Sequence, residues 1–206
     1  MSSTADQTVT YQAGSARGMT IGVAAVAAVA LVLTALDDVG AALRYVPVFA
    51  VVPAAVWAFY GRPAVIISDG GVALRNVVRT VELPWPAIQR IETKYALTLE
   101  TAYGPYNAWA APVPGRTGAA YATRATMHHQ PESAYAAAGL RPGDLAGTPS
   151  GDVAGYIRRR WEKLRDAGFL DDPVLERQRP VVHWHPGPLL LVAALVAASA
   201  VSLSLG

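Results

Sequence analysis

Residues 67–76 read Ile-Ser-Asp-Gly-Gly-Val-Ala-Leu-Arg-Asn, and this stretch decides the fold of the polar middle of the chain. Its Asp-Gly-Gly segment at residues 69–71 is a strong turn signal, because these residues tolerate the backbone conformations of tight hairpins. A β-branched run, Pro63–Ser68, precedes the turn, and the alternating run Val72–Asn76 follows it. The pattern predicts two antiparallel strands joined by a short turn.

Further short strands are indicated from this hairpin as far as Val113. Thr80–Leu83 and Ile88–Thr93 flank a Pro-Trp-Pro segment, which interrupts strand pairing because proline has no amide hydrogen to donate. Ala96–Tyr103 alternates apolar and polar residues, and Ala108–Val113 has the composition of a returning strand. The sequence thus predicts a small antiparallel β domain of five or six strands over residues 62–113.

The clearest helix of the polar part covers Asp152–Ala167. Its apolar residues recur at spacings of three and four, as on one face of a helix: Val153, Ile157, Trp161 and Leu164. Ser150 or Asp152 is placed to cap its N-terminus, and Gly168 is placed to end it. We expect residues 151–170 to close the β domain, with residues 114–150, rich in Gly, Ala and Pro, as a flexible insertion before them.

Three segments contain no Asp, Glu, Lys or Arg, namely residues 18–36, 45–60 and 187–206. With 52% hydrophobic and 16% charged residues the chain is poorer in charge than a typical soluble domain, which has about 25%. As a helix, Met19–Leu36 would span about 27 Å, close to the hydrocarbon thickness of a bilayer. The predicted organisation is as follows: a flexible tail (1–18), a transmembrane hairpin (19–36 and 45–60), a linker (171–186) and a third transmembrane helix (187–205).

The flanking charges predict the orientation of these spans. The connection Asp37–Arg44 is acidic on balance, whereas Arg62 follows the second span and Arg177 and Arg179 precede the third. By the positive-inside rule the N-terminus and the β domain lie in the cytoplasm and the C-terminus outside. We therefore predict a multi-pass protein of the cytoplasmic membrane. A cleaved signal peptide for the first segment and a buried soluble helix for the second are the alternatives.

The chain resembles the actinobacterial membrane-anchored proteins that carry a small bacterial PH-like domain, the low-molecular-weight antigen CFP-6 type. The resemblance rests on the hydrophobic hairpin, Arg62-Pro63, residues 67–76, the Glu-Leu-Pro-Trp-Pro-Ala-Ile-Gln-Arg-Ile segment Glu82–Ile91 and the helix Ile157–Leu164. It implies a PH-like antiparallel split barrel, closed by one helix and held on a membrane anchor, with no established chemistry.

No residue pattern indicates catalysis, a cofactor or a metal site. The sequence lacks Gly-x-Ser-x-Gly, His-Glu-x-x-His and phosphate-loop motifs, and its predicted spans lack His, Asp, Glu, Lys and Arg. The absence of cysteine excludes disulfides, thiolate zinc sites and a cysteine nucleophile. The four histidines have too few potential ligands near them in sequence for a metal shell, so we interpret them as structural or solvated: His128, His129, His183 and His185. The net charge of +2 does not favour nucleic acid.

A cluster of basic residues on the predicted helix is the most suggestive feature: Arg158, Arg159, Arg160, Lys163 and Arg165. Close to a membrane span, such a cluster could contact anionic lipid headgroups or a partner. The alternative, which we favour, is a solvated helix face whose cations pair with Glu162 and Asp166. The large aromatic residues Trp85 and Trp161 are expected in the core.

Three hypotheses of function follow. The first is a membrane-anchored PH-like interaction module, without catalysis, that binds a protein or peptide through the barrel face or an exposed strand edge. The second is a membrane-surface sensor for anionic lipid that uses Arg158–Arg160. The third is a small subunit of a larger membrane complex, packed through small residues such as Ala24, Ala27 and Ala28.

Overall fold

A computed structural model describes residues 8–12, 14–94, 96–112, 148–170 and 178–204. The predicted insertion at 114–150 lies almost entirely outside these ranges, as do His128, His129 and the first residues of the predicted linker. The described elements in chain order are β1 (Val9–Tyr11), α1 (Gly14–Asp37), α2 (Val39–Val56), β2 (Ala64–Ile67), β3 (Gly71–Arg75), β4 (Arg79–Pro84), β5 (Arg90–Glu92), β6 (Ala96–Thr101), β7 (Gly104–Pro112), α3 (Pro149–Asp166), β8 (Val181–Trp184) and α4 (Gly187–Ser204).

The chain divides into two compact units. The first, here called the sheet unit, comprises residues 1–12, 64–76 and 80–183. The second, here called the helical unit, comprises residues 13–63, 77–79 and 184–206. Each unit therefore collects segments that are far apart in the sequence.

The helical unit contains three helical segments that are long and apolar enough to cross a membrane: Ala16–Asp37, Val39–Gly61 and Gly187–Ser204. Helix α2 packs against both α1 and α4. It begins at Val39, well before the apolar run from Tyr45, because Asp38 caps it: the Gly40 amide donates to Asp38 Oδ1 at 2.7 Å. A π-helical turn, Trp57–Gly61, extends it at the other end.

The strands of the sheet unit form two antiparallel sheets. The first has five strands in the order β1-β2-β3-β4-β8, and the second has three in the order β5-β6-β7. Within the described residues the two sheets are separate and do not close into one hydrogen-bonded barrel, so the arrangement is an antiparallel domain of split type. The predicted hairpin is formed by β2 and β3, which pair antiparallel with Ile67 opposite Val72.

Gly71 explains why the turn of this hairpin needs glycine. The chain of β4 passes so close that a Cβ at Gly71 would lie 2.2 Å from the Leu83 carbonyl oxygen. The neighbouring Trp85 is buried, as predicted, and its indole donates to the Ser68 carbonyl at 3.1 Å. The Pro-Trp-Pro segment thus fastens the end of β4 onto the hairpin turn.

The core lies between the two sheets and α3. It contains the inward-facing residues of both sheets and of the helix: Val65, Ile67, Val72, Leu74, Val81, Leu83, Trp85, Ile88, Ile91, Leu97, Leu99, Ala108, Ala110, Ala111, Val153, Ala154 and Ile157. The N-terminal cap of α3 differs from the prediction: Thr148 Oγ1 accepts from the Gly151 amide at 3.0 Å, and neither Ser150 nor Asp152 occupies the cap position.

Candidate functional site

The basic cluster of α3 is divided between the core and the surface. Arg158 is only 2% exposed, and its guanidinium donates to the Ile91 carbonyl of β5 at 3.1 Å. It follows Ala154 by one turn, so it lies on the side of the helix that packs against the sheets. Arg158 therefore holds the helix to β5 and presents no charge for a lipid surface.

Two further members of the cluster are engaged in contacts of the sheet unit. Arg160 forms an ion pair with Asp69, the aspartate of the β2–β3 turn. Arg165 bonds to Asp166 at 2.9 Å and lies over the ring of Trp161. The Trp161 indole in turn donates to the Ile88 carbonyl at 2.9 Å. The Arg160–Asp69 ion pair and the hydrogen bond of Trp161 hold α3 to the rest of the sheet unit. The two ion pairs engage the charges of Arg160 and Arg165.

Arg159 and Lys163 are the members of the cluster that remain on the open face of α3. Both side chains are exposed, and they lie one helical turn apart. Within the described residues neither forms an ion pair or a hydrogen bond. The structure thus reduces the five-residue candidate patch to two neighbouring cations.

A groove of about 450 Å³ lies on the outer face of the first sheet. Its floor follows one row of cross-strand neighbours, in which Ile66 is opposite Ala73 and Ala73 is opposite Glu82. The lining also includes small residues, among them Ala73, Gly70 and Gly71. The residues Gln178 and Arg179 before β8 form part of the rim. The sequence did not indicate this feature, because three strands and a distant segment build it together.

The polar groups of the groove carry both signs of charge. Glu82 lies 3.6 Å from His183 on β8, and both side chains are 58% exposed. Arg179 stands over the ring of Tyr103, with 5.4 Å from its guanidinium carbon to the ring centre. A segment bound in the groove would meet a carboxylate and a guanidinium at the border of a largely apolar floor.

The main-chain edges of the second sheet carry hydrogen bonds from side chains. On β7, the Trp109 amide donates to Asn76 Oδ1 at 2.9 Å, and Asn76 Nδ2 donates to the Asn107 carbonyl at 2.9 Å. Asn76 thus pairs with β7 as a neighbouring strand would. Arg158 bonds to the Ile91 carbonyl of β5, and Trp161 bonds to the Ile88 carbonyl shortly before β5. Strand addition to the second sheet would have to displace these contacts.

Strand β1 brings a tyrosine to the first turn of α3. Tyr11 is partly buried against the core and lies opposite Val65 on β2. Burial raises the pKa of the Tyr11 phenol, and the negative charge of Asp152 raises this pKa further. The N-terminal segment is therefore an integral part of the sheet unit.

Neither a metal centre nor a histidine site is evident in the described part of the chain. It contains no group of three or more His, Asp or Glu side chains that could hold a metal ion. His183 lies beside Glu82, and the main-chain amide of His185 donates to the Val78 carbonyl at 2.8 Å. Of the small residues considered for helix packing, Ala24 and Ala28 are exposed and Ala27 is half-buried.

The two sheets with their packed helix, together with three helices able to cross a membrane, define a membrane-associated protein with a PH-like domain. Residues 62–145 match the family model described as the bacterial PH domain. This range includes β2 to β7 and excludes β1, α3 and β8. The middle of the chain is thus similar to a small bacterial PH domain. No curated protein and no solved structure matches the chain.

Proposed function

We propose that the protein is a membrane-anchored, non-catalytic interaction module whose PH-like domain binds an extended segment of a protein partner. The observation that carries this proposal is the groove on the outer face of the first sheet. Its small side chains and its border of opposite charges suit a peptide main chain with polar groups at its ends. The burial of Arg158 and the pairing of Arg160 weaken the competing lipid hypothesis.

Site-directed photocrosslinking in native membranes tests the groove. A photoreactive phenylalanine analogue at Gln178, on the rim, should give a discrete adduct with the full-length protein. The matched control is the same analogue at Tyr156, which is 37% exposed on α3. The adduct at position 178 should disappear when Ala73→Arg fills the floor of the groove. Equal adducts at both positions, or an adduct that survives Ala73→Arg, would contradict the proposal.

We further propose that the N-terminus and the PH-like domain face the cytoplasm. The pairing of β1 with β2 supports a common side for the segments before the first and after the second helix, and the charge bias supports the cytoplasmic side. Because the chain has no cysteine, single cysteines report cleanly. In intact cells Lys163→Cys should resist a membrane-impermeant thiol reagent and Asp37→Cys should react; the reverse pattern would overturn the orientation.

The second candidate function is recognition of an anionic membrane surface by α3. The exposed pair Arg159 and Lys163 favours it, since basic residues near a membrane surface contribute about 1 kcal/mol each. Native mass spectrometry of the full chain should then show anionic lipid whose retention Arg159→Ala/Lys163→Ala lowers. Retention equal to that of the unchanged chain would leave these cations merely solvated.

Two finer assignments belong to the same proposal. Membership of the actinobacterial CFP-6 type is proposed on the segments that carry the resemblance, of which residues 67–76 contain the β2–β3 turn and strand β3. A role as a subunit of a larger membrane complex is the third candidate, supported by the exposed Ala24 and Ala28 on α1. Crosslinking of α1 to a discrete neighbour, lost on Ala24→Leu/Ala28→Leu, would support it.

A further inference from the structure

Within the helical unit, an arginine of α1 and the arginine that follows α2 lie at a similar height along the helix axes. Thr20 of α1 packs against Gly61, where a Cβ would lie 2.9 Å from Thr20 Oγ1. Arg17 is one helical turn before Thr20, and Arg62 directly follows Gly61. Both arginines therefore lie at the same end of the unit, beyond this contact.

A third arginine reaches this end from the start of β4, directly after the turn that follows β3. The segment Val77–Arg79 belongs to the helical unit. Arg62 Nη1 donates to the Val77 carbonyl at 2.8 Å, and the His185 amide donates to the Val78 carbonyl at 2.8 Å. Two hydrogen bonds thus hold the turn between the end of α2 and the start of α4.

Arg79 itself is positioned by an aromatic ring. Its guanidinium carbon lies 5.7 Å from the centre of the Trp184 ring, within the range of a cation–π contact. Trp184 is 67% exposed and Tyr60 is 56% exposed at the same end of the unit. Exposed tryptophan and tyrosine at the ends of membrane-spanning helices lie at the level of the lipid headgroups.

The charges of the helical unit are distributed unequally between its ends. The end with Arg17, Arg62 and Arg79 contributes no Asp or Glu from the unit's own sequence. The carboxylates of the unit, Asp37 and Asp38, lie at the opposite end, between α1 and α2. A concentration of guanidinium groups at headgroup level favours phosphate, which accepts paired hydrogen bonds from arginine.

We propose that Arg62 and Arg79, with Arg17 at the same end of the helical unit, form a binding site for the phosphate of an anionic phospholipid. This site is separate from α3, where the sequence placed its basic cluster, and it does not depend on the peptide groove. The bound lipid would lie against the turn Val77–Arg79 and the exposed ring of Trp184. The site would recognise the lipid by its negative charge and by the position of its phosphate in the membrane, at the level of the arginine side chains.

The test uses the full chain in vesicles and electron spin resonance of spin-labelled lipids. Spin-labelled phosphatidylglycerol should associate more strongly than spin-labelled phosphatidylcholine, and Arg79→Gln should lower this selectivity by about fivefold. Arg62→Gln should have a similar effect. The matched control is Arg44→Gln, which removes the same charge from the opposite end and should leave the selectivity within about twofold.

A charge-preserving variant separates loss of the site from loss of the fold. Arg79→Lys should retain most of the lipid selectivity, since the ammonium group still attracts phosphate. High salt should reduce the lipid selectivity of the unchanged protein and of Arg79→Lys. Selectivity that Arg79→Gln leaves unchanged would overturn the proposal, as would an equal loss in Arg44→Gln. These outcomes do not involve Gln178 or Ala73, so the site can fail while the peptide groove stands.

Discussion

At the scale of single residues, burial decides the role of each arginine on α3. Three consecutive arginines look equivalent in the sequence, yet Arg158 is enclosed, Arg159 is exposed and Arg160 is paired with Asp69. Successive helical residues point about 100° apart, so three of them face three environments. Ala154 lies one turn before Arg158 and is buried. This small apolar residue indicates that the buried face of α3 is wider than its stripe of large apolar residues.

The first prediction compares neighbouring arginines. Arg158→Ala should destabilise the protein by about 2 kcal/mol, because it leaves a buried cavity and removes the donor of the Ile91 carbonyl. The thermal midpoint of the detergent-solubilised chain, followed by tryptophan fluorescence, should fall by about 4–8 °C. Arg159→Ala removes the same side chain from the surface and should change the midpoint by no more than about 2 °C. A similar loss in both variants would contradict the placement of Arg158.

The second prediction concerns the side chain that pairs with β7. Asn76→Ala removes the acceptor of the Trp109 amide, so this amide should exchange with solvent about fivefold faster, as loss of about 1 kcal/mol implies. Hydrogen exchange measured by mass spectrometry gives the rate. Asn76→Asp, which keeps the acceptor and loses the donor to the Asn107 carbonyl, should protect Trp109 better than Asn76→Ala. Equal protection in all three proteins would show that Asn76 does not hold this edge.

The third prediction is a pH dependence that follows from Tyr11. Its pKa is raised in the folded state, so above about pH 9 the unfolded chain loses this proton more readily than the folded one. The contribution is fully present at lower pH and is lost as the pH rises through the folded pKa. Tyr11→Phe should therefore make the alkaline decline in the free energy of unfolding shallower. A decline of unchanged slope would exclude this role, and Tyr156→Phe controls for the loss of an exposed hydroxyl.

At the scale of elements, the membrane helices and most strands could be predicted, because apolar runs and alternation are local properties of the sequence. Strands β1 and β8 were missed, since three or four residues next to a helix carry too little periodicity. Their pairing depends on β2 and β4, which are distant in sequence. For the same reason the groove, and the gathering of Arg62 and Arg79, could not be predicted: each needs residues that only the fold brings together.

The fourth prediction concerns the N-terminal cap of α3. Thr148 is buried and accepts from the Gly151 amide, so Thr148→Ala should cost about 1 kcal/mol. Ser150, which the sequence favoured as a cap, has a buried hydroxyl without a hydrogen-bond partner within the described residues. Ser150→Ala should therefore be neutral or slightly stabilising. The thermal midpoints of both variants test this prediction. A larger loss of stability in Ser150→Ala than in Thr148→Ala would show that Ser150 is the cap.

At the scale of the whole molecule, the helical hairpin is inserted into a β-hairpin. Strands β1 and β2 are antiparallel neighbours, with Tyr11 opposite Val65, although α1 and α2 separate them in the chain. Neighbouring strands are about 4.8 Å apart, so the ends at Gln12 and Ala64 can be joined by a two-residue turn. The sheet unit thus needs residues from before the first helix, which the family match at 62–145 does not include.

The last prediction removes the membrane helices and keeps the sheet unit. A fragment of residues 8–12, joined by Asn-Gly to residues 64–186, retains all eight strands that the structure describes and should be soluble and cooperatively folded. The matched fragment, residues 64–186 alone, lacks β1 and exposes the edge of β2. It should unfold about 5–10 °C lower, because it loses the burial of Tyr11 and the strand pairing, together about 2 kcal/mol.

Within the longer fragment, Tyr11→Ala should reproduce most of this loss, whereas Thr10→Ala, on the exposed side of β1, should not. Equal thermal midpoints for the two fragments would show that the sheet unit is complete without its N-terminal strand.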